Sequence, residues 1–306
     1  MTSADGQPPV VAVVGATTAG KSELSLDLAE ALGGEVVSTD SMQVYRGMDI
    51  GTAKVPPHQR RGLVHHLLDV LEATEPATVA EFQGWARSVI DSCRSRAVVP
   101  VLVGGSALYT RAVLDQFEFP GTDPGVRRRL EEELEASGPE AMHRRLVAVD
   151  AEAAAKLSPA NGRRVVRALE VIALTGEPFG ASLPAHRYFY DDVCQIGVDI
   201  PRSVLDERIA LRVQRMWEAG FVDEVRRLAA AGLRKGRTAR RALGYHQVLS
   251  FLDGHITEDE AKEQTIAGTR RFARRQDSWY RRDPRIVWVG WDDPQRAAKA
   301  LRAVRA

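Results

Sequence analysis

The stretch "VVAVVGATTAGKSELSLDLAEAL", residues 10–32, decides the fold. Its centre, Gly15-Ala16-Thr17-Thr18-Ala19-Gly20-Lys21-Ser22, matches G-x-x-x-x-G-K-[ST] at each fixed position. β-Branched apolar residues precede the motif and an amphipathic pattern follows it, which is the strand-loop-helix context in which the motif holds phosphate. Its glycines let backbone N–H groups turn inward on an anion, and the helix that follows presents its positive end. Lys21 then reaches the outer phosphates, and the Ser22 hydroxyl is placed to ligate Mg²⁺. A glycine turn with no ligand is the bland alternative, which the fixed positions in the right context disfavour. Whose phosphates the loop holds, and where they go, has to be read from the rest of the chain.

Working outward, strand-like runs recur at 35–40 ("EVVSTD"), 98–105 ("VVPVLVGG"), 194–200 ("CQIGVDI") and 285–290 ("RIVWVG"). Helical patterns separate them, one of them over 78–97, where Thr78 and Glu81 suit a capping box. Apolar strands alternating with helices predict an α/β fold with a mainly parallel sheet covered on both faces. From Asp123 the texture changes to short helical patterns broken at Gly138-Pro139 and Ser158-Pro159, with no convincing strand. The expected organisation is a P-loop core over 1–122, a helical insertion over 123–193, and a second core part over 194–306 with basic helices.

At 306 residues and 44% apolar, the chain can bury a large core. No apolar run approaches the ~18 residues of a membrane helix. The opening "MTSADGQPPV" lacks the basic and apolar regions of a leader. A cytoplasmic, monomeric protein is expected. Cys93 and Cys194 stand far apart without a CxxC, so neither a zinc site nor a disulfide framework is expected. The net charge of +1 hides an asymmetry: residues 1–125 carry 9 Lys/Arg against 15 Asp/Glu, and residues 234–285 carry 13 against 7. The basic excess therefore sits late in the chain.

Several residues outside the loop can carry chemistry. Asp40 ends the second strand-like run, at the edge of the sheet where parallel α/β folds bind ligands. It suits a Mg²⁺ ligand, a general base or a helix N-cap. Gly104-Gly105 permit close backbone approach at the same edge, and Ser106 follows to present a hydroxyl or cap the next helix. In "TRRFARRQDSWYRR", Arg270 and Arg274 lie one turn apart, as do Arg271 and Arg275, with Trp279 and Tyr280 following. Basic residues interleaved with aromatics suit a nucleic-acid strand, although a solvated helix with a buried aromatic edge explains the same run. The adjacent His65 and His66 face different ways in regular structure, which favours packing or hydrogen bonding over a metal pair.

Together, "GATTAGKS", "DSMQVYRGMDIGTAK", "HHLLDV", "VLVGGSALY", "LSPANGRRVVRALEV", "ARRALGYHQVL" and "TRRFARRQDSWYRR" resemble the tRNA dimethylallyltransferase family, in the family's order and from about Pro9 to Gly290. The resemblance implies that the phosphate loop, Gly15 to Ser22, grips the diphosphate of dimethylallyl diphosphate, and that the allylic carbon passes to N6 of the adenosine 3′ to the tRNA anticodon. It implies Asp40 as the general base. By the same resemblance, Lys21, Mg²⁺ on Ser22, and Arg241 would neutralise the departing pyrophosphate. Ser106 stands where the family usually has threonine, with the hydroxyl kept and a χ1-restraining methyl lost. Asp40, Ser41, Met42 and Gln43, with Ala160, Asn161, Gly162, Arg163 and Arg164, would touch the anticodon stem-loop, joined by Arg270, Arg274 and Arg275. Eukaryotic members carry an added zinc finger, for which two isolated cysteines do not suffice, so the bacterial form is expected.

Three rival readings remain. A small-molecule or nucleotide kinase shares the P-loop, Mg²⁺ and an Arg-bearing lid but leaves "DSMQVYRGMDIGTAK" and the basic-aromatic helix unexplained. An adenylate isopentenyltransferase keeps the chemistry and changes the acceptor to a free nucleotide. A non-enzymatic nucleotide switch that binds RNA would need a base-reading motif such as N-K-x-D, which is absent from the sequence.

Overall fold

The computed structural model describes residues 6–179 and 186–306. Two compact units emerge, Met1–Asp115 with Tyr188–Ala306, and Gln116–Arg187.

The larger unit is built on six parallel strands in the order β3-β2-β4-β1-β5-β6. They are β1 (Val10–Val14), β2 (Gly34–Ser38), β3 (His65–His66), β4 (Val99–Val103), β5 (Val193–Asp199) and β6 (Ile286–Gly290). All of β1 is buried, because its alternate side chains enter two different cores. Val10, Ala12 and Val14 pack with Phe82, Ala86 and Ile90 of α2 (Val79–Ser95). Val11 and Val13 pack with Leu24 and Leu28 of α1 (Lys21–Leu32) and with Ala300 and Val304 of α12 (Arg296–Arg305). The expected α/β fold with a parallel sheet is therefore present. The capping box of Thr78 and Glu81 forms as the spacing predicts.

All the strand runs read from sequence form strands, but those over 10–15, 35–40, 98–105 and 194–200 stop one or two residues early. Asp40 and Gly104-Gly105, just past the carboxyl ends of β2 and β4, line the crevice there. The strand that sequence did not predict, β3, is two residues long and exists by pairing to Val36 and Val37 of β2. After β4 comes α3 (Ala107–Leu114), and after β5 come α8 (Arg202–Glu218), α9 (Phe221–Ala230), α10 (Tyr245–Leu252) and α11 (Glu258–Tyr280).

The smaller unit holds α4 (Pro124–Ser137), α5 (Pro139–Val149), α6 (Ala151–Lys156) and α7 (Gly162–Thr175), with no strand among its described residues. Leu130, Met142, Leu146, Val165, Val166 and Leu169 form its own core. The buried Glu170 carboxylate is bonded there by Arg127 and Arg167. Sequence put the edges of this insertion at 123 and 193; the compact unit runs from 116 to 187. Residues 188–193 belong with the sheet, since the Phe189 N–H donates to the Leu114 carbonyl at 2.7 Å and Tyr188 stacks under Arg285 at 3.9 Å.

Candidate active site

The loops after β1, β2 and β4 open onto one cavity of about 980 Å³, closed on another side by α8 and α11. Thr17, Thr18, Gly20, Lys21 and Ser22 line it from the first loop, Asp40 and Gln43 from the second, and Gly104 and Gly105 from the third. The crevice beyond the carboxyl ends of the strands is where an open parallel sheet holds its ligand.

The phosphate loop is strained and incompletely satisfied. Gly20 takes φ 101°, and the β-branched Thr18 takes φ 64°, a left-handed conformation such residues rarely adopt. The Thr18 hydroxyl is buried and finds no hydrogen-bond partner among the described residues. Lys21 Nζ folds back to donate to the Ala16 carbonyl at 2.7 Å. Burial pushes its ammonium from 10.5 down to about 8, with the Asp40 carboxylate opposing and Arg212 reinforcing the shift. The loop thus presents a buried ammonium and, on Thr18, a buried hydroxyl with no partner among the described residues to the same cavity.

Two arginines that sequence reasoning missed complete this wall. On α8, Arg208 Nε donates to the Thr18 carbonyl at 3.0 Å and Arg212 Nη1 to Thr17 Oγ1 at 3.0 Å. Burial pushes the Arg212 guanidinium down, and Asp40 works against that. Their signal was present in "DERIALRVQR", where Arg208, Arg212 and Arg215 recur on one helical face.

No helix follows Asp40, so it caps none. Instead its Oδ1 accepts the Met42 N–H at 2.9 Å, an Asx turn that holds the carboxylate at the cavity wall. Ser106 precedes α3 without a side-chain cap; its hydroxyl accepts the Ser41 N–H at 3.4 Å and lies 3.3 Å from Ser41 Oγ. Asp40, Ser41 and Ser106 are thus brought together. Gln43 is committed to the fold, accepting from Ser38 Oγ at 2.8 Å and donating to the Thr52 carbonyl at 3.1 Å. The next turn is pinned by a second residue without a sequence signal. Buried Glu224 accepts the N–H groups of Asp49, Ile50 and Gly51 and the Tyr245 hydroxyl proton.

The remaining expected residues divide. Arg241 is exposed at the end of the turn Ala239–Arg241, whose Ala239 is buried, and is not part of the cavity wall. On α11, Arg270 Nη2 donates to the Asp206 carbonyl of α8 at 3.2 Å, while Arg274 and Arg275 are exposed. In the smaller unit, Asn161 caps α7 by accepting the Arg164 N–H at 3.3 Å. Ala160, Arg163 and Arg164 are exposed there, and Gly162 is buried where a Cβ would stand 2.8 Å from Leu134. His65 Nδ1 lies 3.0 Å from the Leu63 carbonyl, and His66 Nε2 lies 2.7 Å from Glu35, the hydrogen-bonding roles expected of the pair.

The family model described as IPP transferase matches residues 43–283. A tRNA dimethylallyltransferase of Nocardioides sp. is 60% identical over 306 residues, covering 100% of this chain and 99% of that protein. The chain belongs to the tRNA dimethylallyltransferase family. A Streptomyces coelicolor member is 62% identical over 289 residues, 94% of this chain and 92% of its own. Among solved structures, the tRNA isopentenylpyrophosphate transferase of Bacillus halodurans is similar with a TM-score of 0.70 and 39% identity over 97% of this chain and 94% of that one. A eukaryotic dimethylallyltransferase acting on tRNA gives 0.81 at 25% identity over 97% and 78%. The kinase and nucleotide-switch readings have no place in this family.

Proposed function

We propose that the protein transfers the dimethylallyl group of dimethylallyl diphosphate to N6 of the adenosine 3′-adjacent to the anticodon in tRNA, with release of pyrophosphate. The observation that carries this reading is the meeting of the phosphate loop, with its buried Lys21, and the Asp40 carboxylate at one cavity. Adenine N6 is a weak nucleophile because its lone pair is delocalised into the ring, so the reaction needs a positioned base and a stabilised leaving group. As the C1–N6 bond forms, the C1–O bond breaks and its electron pair leaves on the diphosphate. The N6 proton passes to the Asp40 carboxylate.

Lys21, the loop N–H groups other than those of Thr17 and Ala19, Thr18 Oγ1 and the α8 arginines Arg208 and Arg212 are the donors that would turn to that diphosphate. Arg241, matched by resemblance, would reach it from its turn. Ser106 Oγ, shared with Ser41, is the hydroxyl for the bridging oxygen. Hard divalent cations take oxygen ligands, and Ser22 offers a hydroxyl on the cavity wall. Mg²⁺ bound there would add charge neutralisation to the leaving group. The exposed Arg274 and Arg275 support an RNA acceptor, as do Arg163 and Arg164 at the start of α7. The adenine must leave its stack to meet Asp40.

The test is one incubation of purified protein with unmodified tRNA, Mg²⁺ and dimethylallyl diphosphate, beside parallel reactions with AMP and with ATP, read by nucleoside mass spectrometry. Isopentenyladenosine from tRNA alone is expected. Product from AMP keeps the chemistry and changes the acceptor, whereas phosphorylation from ATP overturns the reading.

A further inference from the structure

α11 was singled out in the sequence for its arginines, yet its most consequential side chain is neutral. Gln276 is 5% exposed and makes two bonds with one amide. Its Oε1 accepts the Thr17 N–H of the phosphate loop at 2.8 Å, and its Nε2 donates to the Gly105 carbonyl at 2.7 Å. The two partners fix which end is oxygen, because an N–H needs an acceptor and a carbonyl needs a donor. The approach is close: a Cβ on Gly105 would stand 2.3 Å from Nε2 and displace the amide. The same turn is held one helical turn onward, where the Tyr280 hydroxyl donates to the Gly104 carbonyl at 3.4 Å. Ser106 follows directly, and its hydroxyl meets Ser41 beside Asp40.

We propose that Gln276 is a positioning residue for group transfer, a rigid strut that sets the gap between the loop gripping the diphosphate and the turn carrying Ser106. The inference rests on the transfer reading above. Glutamine is the side chain the position requires. Asparagine is one methylene too short to span the gap, glutamate accepts from Thr17 but has no proton for Gly105, and methionine fills the space with neither bond. Thr17 is held on its other side by Arg212, so the strut fixes a loop residue that is already cross-braced. Losing the strut lets leaving group and Ser106 drift apart while the tRNA surface is untouched. Misplacement by about 1 Å costs on the order of 100-fold in rate.

The experiment compares wild type with Gln276→Met and Gln276→Glu. Readouts are steady-state transfer to unmodified tRNA, melting temperature, and the hydrogen-exchange rate of the Thr17 amide. The expected result for Gln276→Met is a kcat reduced about 10- to 100-fold with the KM for tRNA within about twofold, and a faster-exchanging Thr17 amide. Gln276→Glu should protect the Thr17 amide and still lose kcat, separating the two bonds. If either variant fails to fold, the other carries the same kcat and KM comparison. In Gln276→Met, full kcat, a loss confined to the KM for tRNA, or an unchanged Thr17 exchange rate would overturn the proposal. A wild type that makes no product from tRNA while Thr17 exchange responds as expected overturns the transfer reading, and with it the catalytic role, but leaves the strut as geometry.

Discussion

The protein builds two polar clusters on one sheet, and they are opposites. At the β2–β3 edge, Glu35, His66 and Cys93 offer potential ligand atoms within 4.8 Å of one another. There Arg96 forks onto both carboxylate oxygens at 2.8 Å, His66 closes at 2.7 Å, and Cys93 donates at 3.4 Å. These bonds hold the Glu35 carboxyl down at about 2, with Arg96 the largest cause, while burial and then the Glu35 carboxylate push the Cys93 thiol up to about 11. At the carboxyl ends of β1, β2 and β4, by contrast, a buried hydroxyl has no partner among the described residues, a threonine is held left-handed, and burial lowers a lysine to about 8. Residue types alone would have made the first cluster a metal site. The first cluster is closed on itself, whereas the second leaves polar groups open at the cavity.

The sharpest way to break that contrast is Asp40→Asn. The amide keeps the size and the turn-forming acceptor but cannot take the N6 proton. Transfer should fall by about 1,000-fold or more, within the range for loss of a general base. Filter binding of tRNA should stay near wild type, and retained turnover would remove Asp40 as the base.

The open cluster was the more legible of the two in sequence. A phosphate loop is a backbone device, so its glycines and lysine occupy fixed positions and announce themselves. Asp40, Ser106 and Gly104-Gly105 were found because strand ends in a parallel sheet share one edge. What stayed hidden depends on side chains meeting across long sequence separation. Arg212 reaches Thr17 across 195 residues and Gln276 across 259. Glu224 looks like any acid in an amphipathic helix until three backbone N–H groups converge on it. On α11 the sequence offered arginines at helical spacing, but whether each serves α8, as Arg270 does, or solvent is decided only by packing. β3 has too few residues to show a period and is created by its neighbour.

A smaller effect should follow from pH. If the loop awaits an anion, bound dimethylallyl diphosphate will raise the Lys21 pKa from about 8 back toward its ordinary value. Below pH 8 the ammonium is already charged and affinity should be flat from this group. Above pH 8 binding must take up a proton, so affinity should weaken by up to about tenfold per pH unit. Calorimetry without tRNA in two buffers of different ionisation enthalpy would read that proton. Lys21→Met should weaken binding and abolish the slope; a slope that survives would assign the proton elsewhere.

Smaller still is the effect of Arg274→Ala with Arg275→Ala, which tests whether the exposed face of α11 serves RNA. The KM for tRNA should rise several-fold and its salt slope shrink by about one to two, as for the loss of two phosphate contacts, with the KM for dimethylallyl diphosphate unchanged. An unmoved KM for tRNA at low and high salt would make this face a solvated one.

The closed cluster makes the opposite prediction, a change in stability with none in activity. In Glu35→Gln, Arg96 and His66 lose their anion, and unfolding free energy at pH 7 should fall by about 2 kcal/mol, as for loss of hydrogen bonds to a charged group. The sign with pH is fixed by the direction of the shift. Glu35 is held at about 2 in the fold against an ordinary 4.5, so its contribution is complete above pH 4.5 and is lost as pH falls toward 2. Wild type and Glu35→Gln should therefore differ most in melting temperature near neutrality and converge in acid, with equal kcat at pH 7. A variant that melts normally but loses transfer would mean that this edge reaches the active site. The division between a satisfied cluster that supports the sheet and an unsatisfied one that works on substrate would then fail.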